Sequence, residues 1–176
     1  LMLYLDNDNN NFAWKTEKLF YKNRHLFEDD TKFNFYAVLH NAYTVKNDSK
    51  KLNVLYNKIL DDDIYNAGKE SKMSIMLYRL ILQNFTSMNK LDDAERFIIK
   101  YTEYINSDNK ETFSNFGFAL IEFKRNNYEK ALEYISNADM HFLLFKYDIR
   151  NLYLMIYYEL NYSDEAYSLL DTYNCL

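Results

Sequence analysis

Proline is absent from this 176-residue chain, and glycine occurs only as Gly68 and Gly117. Average usage would supply roughly nine prolines and twelve glycines. Sheets, sandwiches and barrels turn often, and their tight turns draw on those two residues. Dinucleotide and phosphate loops also need a glycine-rich turn, which is missing here. Both classes are therefore excluded, and an all-helical chain with polar connections remains. Cysteine is nearly absent too. Cys175 stands alone and cannot close an internal disulfide, so a reducing, cytoplasmic setting is expected. No stretch reaches the roughly 20 continuous apolar residues of a membrane span. Leu1–Leu5 is too short for a signal peptide, lacks a basic start and runs into an Asp/Asn cluster. The chain opens with Leu rather than Met, which points to a fragment and leaves an upstream targeting segment open.

What is present is aromatic and mildly acidic. Eighteen tyrosines and 13 phenylalanines bring aromatics to 18%, and 48% of the residues are hydrophobic, enough for a real core. The net charge of −5 argues against nucleic acid, which calls for a basic face. Lysine outnumbers arginine sixteen to five, a bias that genome composition explains as readily as function.

Polar clusters punctuate the chain, among them KNDSKK (46–51), MNKLDD (88–93), RNNYEK (125–130) and ELNYSDE (159–165). Between them, apolar residues recur at helical spacing. The pattern predicts helices over 12–27, 32–46, 49–60, 71–87, 91–105, 110–125, 128–138, 142–160 and 163–174. Asp108 followed by Glu111 reads as a capping box, and Asn89, Asn127 and Ser163 each precede acids in a first turn. The helices fall into pairs. Leu52, Ala94, Ala131 and Ala166 share one register at spacings of 42, 37 and 35 residues. Four residues on stand Tyr56, Ile98, Ile135 and Leu170, and seven on Ile59, Tyr101, Ala138 and Tyr173. Nine residues back stand Tyr43, Phe85, Glu122 and Tyr157. Twelve back stand His40, Leu82, Ala119 and Leu154, and thirteen back Leu39, Ile81, Phe118 and Tyr153. Most of these columns stay apolar, as an internal repeat requires.

On these residues the chain resembles the tetratricopeptide-repeat family, a stack of helical hairpins. NNYEKALEYISNAD (126–139) looks most like the family's turn and second helix, and KLDDAERFIIKY (90–101) and YSDEAYSLLDTY (162–173) follow it. The likeness departs at the closing proline, absent from every unit, at His40, Leu82 and Leu154 in place of a small residue, and at Glu122 in place of an aromatic. It implies an all-α, right-handed superhelix of about four hairpins, with approximate units 32–60, 71–105, 110–138 and 142–174. Residues 1–31 would be the end of a preceding repeat or an N-terminal capping helix. It further implies a non-catalytic scaffold whose first helices line a concave groove for a peptide or helix of a partner protein. By register that groove holds Asn41, Arg79, Gln83, Phe116, Leu120, Lys124, Asn151 and Met155. It lacks the dense Lys/Asn/Arg set with which some members clamp a terminal carboxylate. Gly117 either admits a partner or, more in keeping with helix glycines, relieves crowding.

The last hairpin is unusual. IRNLYLMIYYEL (149–160) is apolar around most of its circumference, whereas terminal repeats need a polar outer face. One reading is that this end docks a second copy or another segment, as in a homodimer or a structural piece of a larger protein. The other is that tyrosine hydroxyls at the rim make it tolerable in water. Signals for catalysis, metals or cofactors are poor, and none is expected. His25 and Glu28, spaced i, i+3, are a possible metal pair without further ligands. His40 sits in a packing column as a satisfied core histidine, and His141 falls in a turn. Asp61–Asp63 lacks the glycine and closing glutamate of a calcium loop, and Cys175 has no evident base. A small metal-dependent enzyme is the least favoured reading.

Overall fold

The computed structural model describes residues 10–65, 72–105, 110–138 and 143–173. Among them are nine α-helices: α1 (Asn10–Asn23), α2 (Asp29–Val45), α3 (Ser49–Asp61), α4 (Ile75–Ser87), α5 (Leu91–Tyr101), α6 (Lys110–Lys124), α7 (Tyr128–Ser136), α8 (Leu143–Leu160) and α9 (Ser163–Tyr173). No extended strand occurs among the described residues. The chain is all-α, as its composition requires.

Three helices stop two to four residues earlier than periodicity predicts, and side chains explain why. Asn23 donates its amide to the Leu19 carbonyl at 2.9 Å, and a 3-10 turn, Arg24–Leu26, replaces the last turn of α1. Thr102 donates its hydroxyl to the Ile98 carbonyl at 2.7 Å, and α5 tightens into Thr102–Tyr104. Ser136 and Asn137 both donate to the Glu133 carbonyl and close α7. Short polar side chains compete with the backbone ladder in this way.

The hairpin turns solve the shortage of glycine. Asn47, Asn89, Asn126 and Asn161 take left-handed conformations, with φ of 51°, 56°, 61° and 59°. The residue after each donates its N–H five residues back: Asp48 to Tyr43, Lys90 to Phe85 and Asn127 to Glu122, each at 2.9 Å, and Tyr162 to Tyr157 at 2.8 Å. Each asparagine N–H reaches the carbonyl three residues back, on Thr44, Thr86, Phe123 and Tyr158. This is the Schellman closure, normally built on glycine, and asparagine is among the few other residues that tolerate it. The four asparagines stand five residues before Leu52, Ala94, Ala131 and Ala166, so they repeat at the same spacings. Asn127 occupies the cap position of α7 but makes no cap bond there, and Asn89 lies one residue before the Lys90 cap. Asp108 lies outside the described residues.

The chain divides within α4 into two compact units, Leu1–Asn84 and Phe85–Leu176. In the first, Tyr36, Leu39 and Tyr43 of α2 are buried, as are Leu55, Tyr56 and Ile59 of α3 and Tyr78, Ile81 and Leu82 of α4. α2 packs on α3. Phe20 ties α1 in by stacking on Phe35 at 3.9 Å and meeting Tyr36 edge-on. Burial pushes the Tyr56 phenol up to about 12. A polar bridge joins α3 to α4. Asn53 donates to Asn84 Oδ1 at 3.0 Å, and Asn84 donates to the Ser49 carbonyl at 3.0 Å. Both asparagines are buried, so the bridge fixes one register for the two helices.

In the second unit α5 packs on α6, α6 on α7, α7 on α8 and α8 on α9, and α6 also meets α8. The core is Ala94, Phe97 and Ile98 of α5, Phe113, Phe116 and Ala119 of α6, Ala131 and Ile135 of α7, and Phe145, Leu152 and Ile156 of α8. Gly117 is buried within α6.

Candidate functional site

Of the eight groove positions, seven retain some exposure and one does not. Phe116 is 1% exposed and packs edge-on against Phe145 with ring centroids 5.6 Å apart. It belongs to the core because α6 is covered by α5, α7 and α8 together, leaving a narrower free face than the register implied. Asn41 is exposed on α2, and Arg79 and Gln83 are half-buried on α4, where each has interactions of its own. Leu120 is half-buried and Lys124 exposed on α6, while Asn151 and Met155 are exposed on α8, one turn apart. Asn41, Arg79 and Gln83 thus belong to the first unit, and Leu120, Lys124, Asn151 and Met155 to the second.

Two neighbouring faces went unremarked in the sequence. Tyr147 and Tyr158 extend the Asn151–Met155 stripe along α8, exposed by 44% and 80%. Their spacing of four residues before Asn151 and three after Met155 was the available signal. On α2, Ala37, Val38, Thr44 and Val45 surround Asn41 and are all exposed. No Asp, Glu, Lys or Arg occurs from Phe33 to Val45, so this face lacks formal charge over about 20 Å of helix.

The strongest electrostatic feature lies at the α6–α7 turn. Glu122 is 4% exposed and accepts from Arg125 at 3.0 Å, Asn127 at 2.8 Å and Lys130 at 3.4 Å. Burial alone would raise its carboxyl, but the bonds from Asn127, Arg125 and Lys130 outweigh it and hold the group below the usual carboxylate range. Arg125 also meets Glu95 at 2.7 Å and Asp92 at 3.6 Å, pinning the turn to α5. A polar cavity of about 360 Å³ opens beside it, lined by Asn89, Lys90, Leu91, Asp92, Asp93, Arg96 and Arg125. Arg96 pairs with Asp93 there, so the charges largely satisfy one another. The network ties the α6–α7 turn to α5.

Several other titratable groups among the described residues are tied to the fold. Asp62 accepts from Tyr36 and pairs with Arg24 at 3.2 Å, while Asp63, at φ 55°, accepts from Tyr65. The Asp61–Asp63 run therefore closes α3. Tyr36 is raised above the ordinary tyrosine value by burial and by donating to Asp62. His25 lies in the 3-10 turn and Glu28 beyond an extended Phe27, so the two share no helix face. His40 is only partly satisfied. Its Nδ1 lies 3.5 Å from Asn41 Oδ1, and its buried Nε2 has no hydrogen-bond partner among the described residues. His141 and Cys175 lie outside the described residues. Among those described, no group of three or more His, Cys, Asp or Glu side chains is placed to hold a metal ion, and no helix is long and apolar enough to cross a membrane.

No family model matches the chain, and neither does any curated protein or solved structure.

Proposed function

We propose that the chain is a non-catalytic protein-interaction scaffold of tetratricopeptide-like hairpins that binds a peptide or helix of a partner protein along its first helices. One observation carries this reading: four hairpin turns of the same hydrogen-bonded geometry recur in register with the small-residue column. Equivalent turns start each second helix, and of the first helices α2 and α8 keep the most open faces. On α2 that face is uncharged around Asn41, and on α8 it offers Tyr147, Asn151, Met155 and Tyr158. Aromatic and methionine side chains beside an amide suit an extended or helical peptide, with apolar anchors seated and backbone groups paired to asparagine. On this reading the chain works in the cytoplasm with a protein partner, without cofactor or nucleic acid.

The test is selection of peptides from a random library on the purified chain, with titration calorimetry on the peptides recovered. Asn41→Ala and the double variant Asn151→Ala/Met155→Ala should each weaken binding about tenfold. Peptides that bind both variants as well as the parent would sink the proposal. The exposed last hairpin favours a second reading, a structural or self-assembling segment.

A further inference from the structure

The two ends of the described chain carry opposite chemistry. From Asn151 onward the sequence holds Glu159, Asp164, Glu165 and Asp171 and no basic residue. α9 buries none of its described side chains completely, and Tyr167 and Leu170 stand 69% and 44% exposed. Asp164 and Asp171 lie one helical turn to either side of Tyr167, so the patch is apolar at its centre and acidic at its rim. The outer face of α1 is the reverse, with Lys15, Lys18 and Lys22; Arg24 beyond it is paired with Asp62, and the acids Glu28, Asp29 and Asp30 follow only after the 3-10 turn. Lys15, Lys18, Leu19 and Lys22 follow the i, i+3, i+4, i+7 spacing of one helix face and all are exposed, with exposed Leu26 beyond them.

We propose that the α1 face of one chain docks on the α9 face of a second copy, head to tail. Charge selects this pairing. A tail-to-tail contact would set Asp164 and Glu165 against their own copies, and a head-to-head contact would do the same with the lysines. Head to tail alone brings the lysines of α1 to the acidic rim of α9 while Leu19 covers Tyr167 and Leu170. Such a contact is heterologous, so copies join into a ring where the rotation closes and into an open chain where it does not. This goes beyond the peptide-binding reading and does not depend on it.

Sedimentation velocity on the 176-residue chain tests it. Average mass should climb with concentration above the monomer and fall back between about 0.1 M and about 1 M salt as screening shortens. A tail variant, Tyr167→Lys/Leu170→Lys, and a head variant, Lys15→Glu/Leu19→Glu/Lys22→Glu, should each lose assembly at least about tenfold. Mixed together they should form a one-to-one dimer and nothing larger, since each keeps one intact face. A single chain carrying Lys15→Glu/Lys22→Glu with Asp164→Lys/Glu165→Lys should assemble again. Circular dichroism checks that each variant keeps the parent's helix content. A parent chain monomeric at every concentration, a head variant that still dimerises with itself, or a charge-swapped chain that stays monomeric would each overturn the proposal.

Discussion

Ile135 and Leu170 stand at the same register, four residues after Ala131 and Ala166, in second helices that follow the same turn. Ile135 is completely buried; Leu170 is 44% exposed. The local sequence does not make this difference, since both helices follow the same apolar scheme. α7 lies between α6 and α8, whereas α9 has α8 on one side only among the described residues. The burial of α7 is therefore completed by the helix that follows it, α8, and no described helix does the same for α9. The hydrophobic pattern says which side chains seek cover, and the neighbour decides whether they get it.

The largest effect expected follows directly. Ile135→Ala should cost about 2–5 kcal/mol, because it opens a cavity in a site closed on both sides. Leu170→Ala should cost under about 1 kcal/mol in the monomer, since water already reaches that side chain. Urea denaturation of the two variants, at concentrations below any self-association, checks the pair. Equal losses would mean that α9 is covered as well as α7 is.

Next in size is the turn register, where Glu122 in the third hairpin stands opposite the half-exposed Tyr157 in the last. Glu122→Ala should destabilise by about 2 kcal/mol. That is less than for a fully enclosed pair, because Arg125 keeps Glu95. The lowered carboxyl also sets a direction with pH. Its folded value lies below the ordinary 4.5, so the stabilisation is complete above that value and is lost as pH falls through the folded one. Denaturation midpoints across this acid range should fall less steeply for Glu122→Gln than for the parent. A Tyr157→Phe chain should keep the parent's slope.

Much of this was legible in the chain. The absence of proline and scarcity of glycine excluded sheet folds, and the columns around Ala94 and Ala131 located residues that are fully buried. Helix ends were less legible. Whether Thr102 or Asn23 takes a carbonyl from its own helix depends on a rotamer, and hydrophobic spacing carries no record of it. Phe116 was placed in a groove by register, yet the number of helices around α6 is a tertiary quantity and put it in the core. Glu122 was visible as an irregularity in an apolar column. Its partners Arg125, Asn127 and Lys130 lie three, five and eight residues on, a grouping that becomes a network only once the turn folds back. The turn asparagines were in plain view inside the polar clusters, but their left-handed role emerges only when φ is known.

Those asparagines give the smallest effect and the one that separates turn from cover. Asn126 and Asn161 have nearly the same φ and the same pair of backbone bonds, although the helices that follow them differ in burial. If the turn energy is local, Asn126→Ala and Asn161→Ala should each cost about 1 kcal/mol, the penalty for a Cβ in left-handed backbone without the asparagine side chain. Asn→Gly at either site should be close to neutral, because glycine meets the same φ freely while loosening the unfolded chain. Denaturation reads the global cost at Asn126. Amide exchange reads the local one at Asn161, where the last hairpin can open without the rest. A much larger loss at Asn126 than at Asn161 by exchange at the turn amides themselves would mean that neighbouring helices hold the turn in shape. Equal losses would make the turn an autonomous element, indifferent to what packs on it, in keeping with its recurrence on Asp63 at the end of α3.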